Sequence, residues 1–183
     1  MSVEITLGKG GHPRYKEVSD YGKLATQYSN TDINLAITYL EKIWEINNTT
    51  DYDADLAQLV RLPKFLQQAG RFDEALVRCD ELLNSSVDRM TARWGYHEFG
   101  QVNIDYGVAL DKAGIYKCLA IIYKREKNKE KSAYYKELEN QQFAIAQPLR
   151  LKIDQLHEQQ MQEYQDYMEA RRNGFKVDYK KLK

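Results

Sequence analysis

Cysteine, proline and glycine are all scarce in this 183-residue chain, and each scarcity removes a class of fold. Two cysteines, Cys79 and Cys118, are too few for the disulfide framework of a small secreted domain. They are also too few for a zinc knuckle. Each sits inside an apolar helical pattern, so they read as buried reduced thiols of an intracellular protein. Three prolines and ten glycines supply too few turns for a many-stranded sandwich or barrel. No apolar run approaches the roughly 20 residues of a membrane span. The opening "MSVEITLGKGGHPRYKEVSD" lacks the apolar stretch of a signal peptide. A cytoplasmic protein that does not enter membranes is expected. Excess charge of one sign is missing as well: 27 basic residues meet 27 acidic ones, so net charge points to neither nucleic acid nor membrane.

Signatures of catalysis are equally thin. "GKGG" at Gly8 lacks the spacing of a phosphate loop and its following Lys-Ser/Thr. The histidines are His12, His97 and His157. "HEFGQ" and "HEQQM" begin like a zinc-protease helix, but neither has a second histidine four residues on. "DQLH", from Asp154 to His157, has the ligand spacing of di-iron bundles, yet such sites need a second copy and two further carboxylates. It reads as a solvated helix face. The sequence therefore assigns no catalytic, cofactor-binding or metal-ligating residue, and a non-enzymatic protein is expected.

What the chain does contain is helical periodicity. Val18, Tyr21, Leu24, Ala25 and Tyr28 mark a first helix over 15–28. "SNTD" offers a cap from Asn30 or Thr31, with Asp32 suited to the positive helix end. Ile33, Ala36, Ile37, Leu40, Ile43 and Trp44 then give the strongest helix signal in the chain. A third helix covers 54–68, with Pro63 kinking it or marking its true start. A fourth runs over 72–84. "SVD" caps a fifth over 89–112, interrupted by Gly95, Gly100 and Gly107. Ala113-Gly114 is read as a turn, followed by the helices "IYKCLAIIYKRE" and "SAYYKELENQQFAIAQ". Pro148 is expected to kink or split the helical stretch around it. The last helix, 149–172, carries Leu149, Ile153, Leu156, Gln160, Tyr164 and Tyr167 on one face, and Gly174 stops it. The prediction is an all-α fold of seven or eight helices: an irregular N-terminal segment over 1–13, one helical domain over 14–174, and a basic tail over 175–183.

Two stretches align without a gap: "QQAGRFDEALVRCDEL" and "DKAGIYKCLAIIYKRE". Both place Ala-Gly, one residue, then an aromatic, Phe72 or Tyr116, as stacked helical hairpins do. The pattern resembles the tetratricopeptide repeat. Leu59, Leu62 and Leu66 match its first-helix apolar positions, and Gly70, Phe72 and Ala75 match its turn and small contact residue. "YGVALDKAGIY" is similar to another first helix and turn, with Gly107 at the small position. "DINLAITYLEKIWEINN" resembles a second helix, with Ala36, Leu40 and Ile43 at its packing positions. Three departures stand out: Pro63 replaces a small residue, Leu119 replaces an alanine, and the turns lie 44 residues apart (70 to 114). The family's period is about 34. The resemblance, covering about 30–140, implies an array of antiparallel helical hairpins, a TPR-like α-solenoid with a long C-terminal helix.

That array implies a concave face carrying Val60, Lys64 and Gln67. Val60 does not fit the family's carboxylate clamp, so no clamp is expected. The chain has 14 tyrosines. Tyrosine and tryptophan suit interfaces, because they bury large area with few rotatable bonds. Trp94, Tyr96 and Phe99 cluster in the glycine-interrupted segment and are further candidates for partner contact. Segment 31–60 carries six acids (Asp32, Glu41, Glu45, Asp51, Asp53, Asp55) against Lys42, a net of −5. Segment 171–183 carries six bases against Asp178, a net of +5. The expectation is a module that binds another protein as an adaptor, a chaperone or an inhibitor, for example of the immunity type. The alternative is an RNA-binding helical protein using basic faces and the tail.

Overall fold

The computed structural model describes residues 12–173 except Glu98. The expectations for the segment 1–11, for Gly174 as a stop and for the tail 175–183 lie outside the described residues. Within them every regular element is helical: α1 (Tyr15–Tyr28), α2 (Ile33–Thr49), α3 (Leu56–Leu59), α4 (Arg61–Gln68), α5 (Phe72–Trp94), α6 (Gly100–Arg125) and α7 (Lys129–Arg172). The fold is all-α. No described helix is long and apolar enough to cross a membrane.

The first half follows the periodicity closely. Asp32 itself caps α2, its carboxylate accepting from the Leu35 N–H at 3.0 Å, where Asn30 or Thr31 was the expected cap. Pro63 falls in the first turn of α4, where its missing N–H has no intrahelical partner to lose, so it marks a start and not a kink. Gly70 ends the α4 hairpin at φ +78°. The Arg71 N–H reaches back to the Leu66 carbonyl at 2.9 Å and the Gly70 N–H to Gln67 at 3.1 Å, a left-handed C-terminal cap that favours glycine.

The second half departs from expectation in three places. "SVD" is no cap, because α5 runs through it and Ser86 Oγ instead donates within the helix to the Leu82 and Leu83 carbonyls. The break comes later, at 95–99. Ala113-Gly114 is no turn, because α6 continues unbroken for 26 residues. Its buried positions Ile104, Asp111, Ile115, Cys118 and Ile122 stay in one helical phase across Gly114. That glycine is a point of close approach: a Cβ there would lie 2.5 Å from Leu56 Cδ2. Finally, α7 continues through Pro148 for 44 residues. Pro148 and Ala144 both lie on the exposed side, where water can satisfy the carbonyl that the ring leaves unbonded.

Consecutive helices pack antiparallel, α1 on α2, α4 on α5, α5 on α6 and α6 on α7. The deepest core, Ile37, Leu40, Ile43, Leu59, Leu62, Leu66, Ile115 and Ile122, joins α2, α3, α4 and the C-terminal half of α6. Cys79 and Cys118 are buried free thiols. Cys118 Sγ donates to the Val60 carbonyl at 3.6 Å. The hydrogen bond with Cys118 and burial push the Cys79 thiol above its usual range. Lys127, at φ 59°, turns the chain between α6 and α7, and the Asn128 side chain caps α7 by accepting from the Lys131 N–H at 3.0 Å.

Candidate functional site

The α4 candidates and the aromatic candidates meet different fates. Val60 and Gln67 are buried and Lys64 is half-buried, all beneath the last turns of α6. Gln67 Nε2 donates to Glu126 Oε1 at 2.7 Å, and Arg125 Nη1 donates to Gln67 Oε1 at 3.3 Å and to the Lys64 carbonyl at 3.2 Å. The face read as concave and open is thus covered from within the chain.

Trp94, Tyr96 and Phe99 lie together at the α5–α6 turn. Two successive tight turns, His97 N–H to the Trp94 carbonyl at 3.0 Å and Gly100 N–H to the His97 carbonyl at 2.8 Å, set their directions. Tyr96 is 100% exposed. Trp94 and Phe99 are half-buried and face a cavity of about 560 Å³ between α5, α6 and α7. Met90, Leu110 and Ile153 form its apolar wall, and Asn103, Tyr106 and Gln160 add polar atoms. The His97 ring lies 5.0 Å from Trp94, and the His157 ring 5.4 Å from Phe99. Gly107 makes room for this wall, because a Cβ there would collide with Met90 Sδ.

Ion pairs brace the floor. Arg89 Nη2 meets Asp111 Oδ2 at 2.5 Å with both side chains largely buried. Burial pushes the Asp111 carboxyl above the usual range, and the Arg89 guanidinium opposes that shift. Arg89 Nε and Nη1 are buried without a partner. Arg93 pairs with Asp53, with Nε to Oδ2 at 2.6 Å, and tethers α5 to the α2–α3 link. Arg150 pairs with Asp154 at 3.2 Å. Each arginine here has a carboxylate, so the cavity is close to neutral. No group of three or more metal-ligating side chains occurs among the described residues. Asp154 is committed to Arg150, and His157 lies against Phe99. What this arrangement can do is enclose an apolar or aromatic group within a rim of hydrogen-bonding side chains.

The α7 wall of the cavity runs from Arg150 to Gln160 and leads on to the free end of that helix. α6 begins at Gly100, beside His157, but α7 continues to Arg172, fifteen residues further (157 to 172). At 1.5 Å per residue that is an overhang of about 22 Å. Met161, Tyr164 and Met168, at helical spacings of three and four, are 57%, 46% and 41% exposed along it. Tyr164 lies on the face that sequence periodicity assigned to the last helix. Met90, Met161, Met168 and His157 were not singled out as site residues, because their placement depends on where α6 begins relative to the end of α7. No protein-family model, curated protein or solved structure matches the chain. Of the basic segment behind the RNA-binding alternative, only Arg171, Arg172 and Asn173 lie within the described residues.

Proposed function

We propose that the chain is a non-enzymatic module that binds a partner protein, as an adaptor, chaperone or inhibitor working in the cytoplasm. Its helices form an irregular hairpin array, similar to the tetratricopeptide repeat in the α4–α5 hairpin. One observation carries the reading: an aromatic-walled cavity, with a fully exposed tyrosine in the turn between two of its lining residues and an exposed Met-Tyr-Met stripe that starts one residue beyond its α7 wall. Exposed apolar groups clustered beside an open cavity mark interaction surfaces, whereas scattered ones need no explanation. Trp94, Tyr96 and Phe99 are the contact residues of this reading. Val60, Lys64 and Gln67 join helices to one another.

Affinity capture from the native cell, with the intact chain and a Phe99→Ala/Met161→Ser variant side by side, tests it. The intact chain is expected to retain one protein in stoichiometric amount and the folded variant to lose it. Failure of the intact chain to retain any stoichiometric protein contradicts the reading.

A further inference from the structure

Resting on the protein-binding reading, we propose that the Trp94–Phe99 cavity and the α7 overhang form one groove, and that its occupant is a basic amphipathic helix of the partner. Three observations converge on that chemistry.

The first is shape. The overhang, about 22 Å long, lies beyond the start of α6 and offers one side of a helix–helix contact with an apolar stripe at three- and four-residue spacing. The cavity at its root has room for a large apolar side chain from the same partner helix.

The second is the kind of apolar surface. The chain has four methionines, and every one after Met1 is here: Met90 in the cavity wall, Met161 and Met168 on the overhang. An unbranched thioether adapts to irregular partner surfaces, and methionine-rich faces suit helix-in-groove recognition. Met90 is buried behind the cavity, whereas Met161 and Met168 are both exposed and free to make contact.

The third is charge. Between Lys152 and Arg171 there is no lysine or arginine, while Glu158, Glu163, Asp166 and Glu169 are all exposed. The arginines nearest the cavity, Arg93 and Arg150, are neutralised by Asp53 and Asp154. Helical spacing puts Glu158 and Glu169 on one flank of the Met161–Tyr164–Met168 stripe, with Arg171 and Arg172 only at its far end, so a helix laid along the stripe is favoured when it carries lysine and arginine on the side facing that flank and disfavoured when it is acidic there.

The test uses the full chain and three labelled 18-residue peptides, read by fluorescence anisotropy. One is an amphipathic helix with leucine and phenylalanine on one face and lysine elsewhere. The second carries glutamate in place of lysine. The third has the first peptide's composition, scrambled so that no apolar face forms. The lysine helix is expected to bind at least about tenfold more tightly than either other peptide. Substituting Met161, Tyr164 and Met168 together by serine, at exposed positions where the helix tolerates it, is expected to weaken binding by about tenfold or more. Glu158→Gln/Glu163→Gln/Glu169→Gln is expected to flatten the dependence on salt. Equal binding of the lysine and glutamate helices, or an unchanged affinity in the triple serine variant, overturns the proposal. So does a dimer in light scattering that the triple serine variant dissociates, which would assign the groove to a second copy. A captured partner that needs Phe99 but contacts the overhang through an acidic or uncharged segment overturns this inference alone and leaves the protein-binding reading standing.

Discussion

The two ends of the α5–α6 pair carry the same kinds of side chain and put them to opposite use. At one end, Phe72 meets Tyr123 at 5.6 Å, Tyr123 stacks on Tyr135 at 5.4 Å with an interplanar angle of 6°, and the Lys131 ammonium sits 5.0 Å over the Tyr123 ring. Here α7 begins just as α6 ends, so the rings are sandwiched between helices. At the other end, Trp94 and Phe99 face a cavity and Tyr96 faces water, and α6 begins only at Gly100 while α7 runs on past it. Aromatic density does not separate a packing cluster from a binding surface. The relative lengths of neighbouring helices do.

Breaking the floor of the open end should have the largest effect. Asp111→Ala would strand the buried Arg89 guanidinium and is expected to cost about 3–5 kcal/mol in urea unfolding. A loss below about 1 kcal/mol would mean that the pair does not hold α5 to α6. The same carboxyl gives a pH signature. Its folded-state proton affinity is raised, so its contribution is greatest below the ordinary carboxylate range and falls as pH rises through the raised value. Relative to Asp111→Asn, the native chain should therefore gain stability as pH is lowered from 7 toward 4.5. A gap that narrows or stays flat over that window contradicts the sign.

Removing a ring from each end sharpens the contrast. Tyr123→Ala, at the closed end, should cost about 3 kcal/mol or more, as deletions of large buried side chains do. Phe99→Ala should cost clearly less and act on partner binding instead. Equal losses of stability at the two ends would erase the distinction.

Smaller again is the effect that separates the two look-alike glycines. Gly114→Ala forces a methyl against Leu56 and should cost about 1–3 kcal/mol. In a Leu56→Ala background the same change should stabilise by about 1 kcal/mol, since α6 is helical there. Gly70→Ala should destabilise in any background, because φ +78° disfavours every side chain. If Gly114→Ala were destabilising with Leu56 shortened, α6 would not be continuous. The smallest effect belongs to Tyr96→Ala, which should leave the unfolding midpoint within about 0.5 kcal/mol of the native value.

The glycine pair also shows how far the sequence could be read. Both stretches spell Ala-Gly-X-aromatic, and the letters alone make both of them turns. What separates them is phase: buried positions keep one helical register from Ile104 to Ile122, but reset between Leu66 and Ala75. The first helices were legible because α1 and α2 each carry an unbroken stripe with punctuation at both ends. The second half was not, since Gly114, Pro148 and "SVD" are turn-like residues that tertiary contacts hold in helix. The site followed the same division. Trp94, Tyr96 and Phe99 could be singled out as a local aromatic cluster. Val60, Lys64 and Gln67 were placed by the family's geometry, and the C-terminal end of α6 packs over them. The overhang depends on the difference in length between two helices that sequence punctuation had each cut in two.

Amide hydrogen exchange on the chain alone and bound to its captured partner bears most directly on the claim that the open end is where this molecule binds. Slower exchange over 95–103 and 157–172, with 60–72 unchanged, is the predicted result. Protection confined to 60–72, or an overhang that exchanges equally fast in both states, would contradict it.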